Sequence, residues 1–148
     1  MTLKQLVAAQ PVYAGTWTPS STPQAVKLRQ TESEFLAVYK SQWEAGYRLV
    51  VLTSHVLGSK TFYSGVWRPS TSGQFLGLAR PHDSFVAEYK TWWNKGFRLI
   101  ALDTHELNGT VYFSGVYNPS TNGQFLGLAR PHDQFVTEYK TWWNKGFG

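Results

Sequence analysis

Serine, histidine and aspartate all occur in this chain, so nucleophilic catalysis is the first chemistry to weigh. In it a hydroxyl attacks, an imidazole takes its proton and a carboxylate orients the imidazole. No G-x-S-x-G turn is present to hold a serine above a strand. "THELNG" at 104–109 carries the His-Glu of a zinc-protease helix without its second His, and it reads as strand and turn. His55 and His105 recur one period apart, but Gln5 stands at the equivalent earlier place. A triad scattered over repeated units does not assemble one centre, so no catalytic residue is expected. His82-Asp83 and His132-Asp133 suggest metal ligands, yet Glu32-Ser33 occupies the same place without a His. Asp83, Asp133 and Ser33 are read instead as helix caps, and no metal site is expected. The chain has no Cys, which excludes disulfides, thiolate zinc sites and thiol catalysis. No cofactor is implied.

Binding chemistry is better represented. "GTWTPS", "GVWRPS" and "GVYNPS" each place an aromatic, Trp17, Trp67 or Tyr117, at the end of a strand. Two residues earlier a glycine leaves a gap on the same face. Arg68, Ser70, Asn118 and Ser120 supply polar groups beside the ring. Such a ring can serve as a shallow stacking platform for a sugar or a peptide. The same pattern also suits a ring folded over its own glycine in the core. Trp92 and Trp142 have Gln42 as their counterpart. A core position would not tolerate that exchange without a hole or an unpaired amide. These two rings are therefore placed at the rim of a helix, where they contact a ligand, a partner or a neighbouring unit.

The elements that hold these residues repeat. Trp43, Trp93 and Trp143 are 50 residues apart, as are Phe35, Phe85, Phe135 and Gly15, Gly65, Gly115. "GQFLGLARPHD" occurs at 73–83 and again at 123–133. The 148 residues therefore hold three units, 1–50, 51–100 and 101–148, the first being the most diverged. Each reads strand, strand, helix. "YRLVVLTSH" and "FRLIALDTH" have apolar runs expected for strands covered on both faces. Asn108-Gly109 is a hairpin turn, and Pro69 and Pro119 end the second strands. "RPHDSFVAEYKTWWNKGF" spaces Phe85, Tyr89, Trp92 and Trp93 as a helical stripe ending at Gly96. The fold class is α+β. A 50-residue unit is marginal alone, so the three are expected to close into one pseudo-threefold domain, an open stack being the alternative.

Aromatics make up 16% of the chain, enough for a globular core. The net charge of +5 is spread without basic runs, so nucleic acid is not an expected partner. No stretch approaches the length of a membrane span, and the N-terminus lacks a signal-peptide pattern. Both secreted and cytoplasmic locations fit.

"FVAEYKTWWNKGFRLIALDTHELNGTVYFSGVY" combines F-x-x-x-Y, G-[YF]-R-L, N-G and G-V-[WY]. It resembles the bacterial tandem-repeat family of roughly 50-residue units, some copies of which precede serine hydrolases such as the polyglycine hydrolases. The resemblance covers essentially the whole chain. It implies a non-catalytic accessory or binding domain. The Gly-rich loop "STSGQFLGLAR" departs from the family pattern, and no hydrolase sequence lies in these 148 residues. The expected function is multivalent, lectin-like binding of a polysaccharide or glycoconjugate. The alternatives are a peptide- or protein-binding accessory domain of a secreted hydrolase, and a self-associating structural repeat.

Overall fold

A computed structural model describes residues 12–148. The elements run β1 (Ala25–Gln30), α1 (Glu32–Glu44), β2 (Tyr47–Leu57), β3 (Lys60–Pro69), β4 (Phe75–Arg80), α2 (His82–Asn94), β5 (Phe97–Leu107), β6 (Thr110–Pro119) and α3 (His132–Asn144). The class is α+β with a 50-residue period, but the phase differs from the sequence reading. Each sheet is built within one strand–helix–hairpin stretch, in the orders β1-β3-β2 and β4-β6-β5, all antiparallel. The additional strand is the repeated "loop". Phe75 pairs with Tyr117, Leu76 with Val116 and Gly77 with Gly115. Gly77 and Ala79 have weak strand propensity, so pairing with β6 makes the strand. A register shift follows Gly77. There Ala79 takes φ 51°, and its N–H donates to the Ser114 hydroxyl at 2.9 Å.

The hairpins form where the turn residues place them. Asn108 and Gly109 both adopt positive φ, as a two-residue turn between right-twisted strands requires. Gly46, Gly96 and Gly146, also at positive φ, terminate the helices. The helix starts differ from expectation. Pro81 and Pro131 are the N-caps, with no side-chain cap bond. Their extended backbone sets up the first turn, and Asp83 and Asp133 sit inside it, where a carboxylate meets the positive end of the helix dipole. In α1 the cap is Thr31, in a capping box with Glu34, and not Ser33.

Two clusters form the core. Phe35, Leu49, Leu52, Tyr63 and Trp67 of the first stretch are joined by Leu78 and Val116 of the second, so the repeats share one interior. Phe85 and Phe113 are similarly joined by Leu128, just before α3. The strands are less covered than expected, since Val51, Ile100 and Leu102 are exposed. Among the described residues no strand pairs with 123–130 and α3 has no buried residue, so the expected closed threefold arrangement is not confirmed. The N-terminal residues 1–11 that were to complete it lie outside the described residues.

Candidate functional site

The strand-end aromatics divide sharply. Trp67 and Tyr117 are fully buried, which corrects their reading as ligand platforms. The cause is the glycine two residues before. A Cβ on Gly65 would lie 2.8 Å from both Leu49 and the Trp67 ring, and one on Gly115 would lie 2.7 Å from Leu99 and 3.1 Å from Phe85. The gap is filled by the ring itself and by the helix phenylalanine packed on it, at 5.4 Å between Phe35 and Trp67. Burial also pushes the Tyr63 hydroxyl up to about 12, and the Tyr117 hydroxyl further in the same direction. Trp17 is exposed.

Their polar neighbours shape the chain. Ser70 and Ser120 accept from the amides of Ser72 and Asn122, fixing tight turns. Asn118 accepts from Gln74 at 2.9 Å. Arg68 is exposed beside Arg48 in the strand register. Trp92 and Trp142 stack on Phe75 and Phe125 at 4.2 and 4.1 Å, and edge onto Phe97 and Phe147. They are half-buried.

The sequence reading missed the role of Gln74 and Gln124. Gln74 receives the N–H of Leu49 and donates to its carbonyl, and Gln124 does the same with Leu99. Each also accepts a hydroxyl bond, from Tyr39 and Tyr89 respectively. An amide side chain thus imitates a strand partner and ties each repeat to the next. The exact recurrence of "GQF" was the available signal.

The Ser, His and Asp residues do meet, but in another geometry. Ser54 donates to the Asp103 carboxylate, and its oxygen lies 3.1 Å from His105 Nδ1. A relay needs the imidazole between hydroxyl and carboxylate; here the hydroxyl is between the other two. Burial pushes the Asp103 carboxyl above its ordinary value and His105 below its own. The cluster joins β2 to β5 across the repeats. His82 and His132 each bond the neighbouring Asp side chain, at 3.0 and 2.9 Å, and His82 also lies edge-on to Phe113 at 5.9 Å. Among the described residues no group of three His, Asp or Glu side chains could hold a metal ion, and no helix is long and apolar enough to cross a membrane.

A ligand-sized groove of about 650 Å³ lies between α2 and residues 124–130. Tyr89, Trp93 and Phe125 line it, with Lys90, Asn94 and Arg130. Tyr89 and Trp93 lie one helical turn apart, their rings 5.9 Å between centroids. The guanidinium of Arg98 sits 3.3 Å from the Trp93 ring, and Arg48 sits 3.4 Å from that of Trp43. Each Arg is fixed by main-chain carbonyls, Arg98 by Asn122 at 2.6 Å and Arg48 by Ser72 at 2.6 Å. The rings are therefore held rigid, as a recognition surface needs. Trp43, Trp93 and Trp143 repeat this position in all three helices.

A protein-family model described as polyglycine hydrolase-like, structural repeat, matches residues 21–70 and 80–120. The first matched stretch spans β1, α1, β2 and β3, and the second spans α2, β5 and β6. No curated protein and no solved structure matches the chain.

Proposed function

The chain belongs to the polyglycine hydrolase-like structural-repeat family, and on that premise we propose that it is a non-catalytic, multivalent binding module with carbohydrate as its ligand class. The groove beside α2 carries this reading. Two aromatic rings fixed on one helix face, with Lys90, Asn94 and Arg130 at hand, match what a sugar offers. Its apolar ring face stacks, and its hydroxyls take hydrogen bonds from the surrounding side chains. The arrangement of Ser54, Asp103 and His105 supports a structural use of those residues and not catalysis.

One such groove binds weakly, about −4 to −6 kcal/mol. Several on one rigid body raise retention on a polymer by about 10²–10⁴. Retention of the 148-residue chain on cellulose, chitin and xylan, compared with a soluble monosaccharide, reads this directly. The expected result is retention by one polymer, lost in Trp93→Ala and weakened in Asn94→Ala while circular dichroism stays that of the parent. No retention by any polysaccharide, or equal retention of folded Trp93→Ala, would contradict the reading.

A further inference from the structure

A second concavity, about 480 Å³, lies between residues 123–127 and α3, with no hairpin beside them among the described residues. In the completed second repeat, Tyr117 fills this place, with Phe75, Phe85 and Tyr89 as ring neighbours at 5.9, 6.4 and 6.4 Å. Their counterparts 50 residues on, Phe125, Phe135 and Tyr139, all line the cavity. Exposure follows the vacancy. Phe135 is 56% exposed where Phe35 and Phe85 are 0%, and Leu102 is 42% exposed where Leu52 is 6%.

At the other end of the described chain stands the complementary piece. Trp17, the counterpart of Trp67 and Tyr117, is 86% exposed. Its ring already lies over Gly15, where an added Cβ would meet it at 3.1 Å, as the Trp67 ring lies over Gly65. We propose that residues 12–17 of a second copy of this chain add as a strand to residues 125–130 of the first and seat Trp17 in the cavity against α3. Copies are thereby joined head to tail.

The register is that of β4 on β6. By the 50-residue period, Phe125 faces Trp17, Leu126 faces Thr16 and Gly127 faces Gly15, as Phe75, Leu76 and Gly77 face Tyr117, Val116 and Gly115. Thr18 then stands where Asn118 receives Gln74, within the reach of Gln124. One position departs. Ala14 replaces Ser64 and Ser114, so the Ala129 N–H gains no hydroxyl like the one that Ala79 meets. The chain's own segment is engaged elsewhere. Tyr13 lies edge-on to His55 at 6.3 Å, as Tyr63 does to His105 at 6.1 Å, so Tyr13 rests on the first repeat while Trp17 is left uncovered. The seat is on the third repeat. An isologous contact would bring like ends together; this one is heterologous, and it extends or closes into a ring.

Light scattering coupled to size exclusion, run on the 148-residue chain over a hundredfold concentration range, tests the assembly. Two or more copies per particle are expected. Trp17→Ala and Phe135→Ala should each weaken association at least about tenfold with unchanged circular dichroism, because both rings are exposed in the single copy. Mixed together, the two variants should recover a 1:1 dimer, since each retains one intact end. Monomers at every concentration would overturn the proposal, including monomers whose α3 amides are as protected as those of α2, which would place the chain's own strand in the seat. So would assembly indifferent to both substitutions.

Discussion

A ring that folds back over its own glycine turns one sequence pattern into two environments. Trp67 and Tyr117 have a helix phenylalanine above them and vanish into the core, whereas Trp17 has none and stays in solvent. Truncation of Trp67 removes contacts to Phe35 and leaves a cavity, so Trp67→Ala is expected to cost about 3–5 kcal/mol, read as a lower urea midpoint with parental slope. An unchanged midpoint would show that the ring is not packed. The glycine and the aromatic were legible in the sequence; the helix phenylalanine that covers them was not, because it comes from a residue 32 positions away in each repeat. Likewise Ser54, Asp103 and His105 could be found by type, but their order of contact depends on how β2 meets β5.

At the scale of elements, the hairpins and helices were legible because their signals are local: Asn108-Gly109, the prolines, the helix-ending glycines and the aromatic stripe. The strand β4 was not legible, since Gly77 and Ala79 interrupt its short apolar run and its strand geometry comes from β6. That strand also explains the missing tryptophan of the first repeat. Trp92 stacks on Phe75, and where Gln42 replaces the tryptophan, Ala25 replaces the phenylalanine. The two positions change together because a lone ring would lose its partner face. A double-mutant cycle of Phe75→Ala and Trp92→Gln should therefore show a coupling of about 0.5–1.5 kcal/mol. Additive losses in thermal denaturation would show that the stack contributes nothing of its own.

Across the whole molecule, the repeats interlock through Gln74, Leu78 and Val116, and the helix tryptophans recur along the stack with a fixed spacing. The 50-residue period was plain in the sequence. The phase was not, because a 50-residue period can be cut anywhere, and only the pairing of strands decides where a sheet begins. The groove went unrecognised for the same reason: its two walls, α2 and residues 124–130, come from consecutive repeats. The proposed ligand contact is at this groove and not at the buried strand ends. Indole N–H resonances of the seven tryptophans, followed while a soluble oligosaccharide of the retaining polymer is added, separate the two places. The Trp93 resonance should shift on titration and that of Trp67 should stay fixed. A shift at Trp67 with Trp93 unmoved would contradict the account.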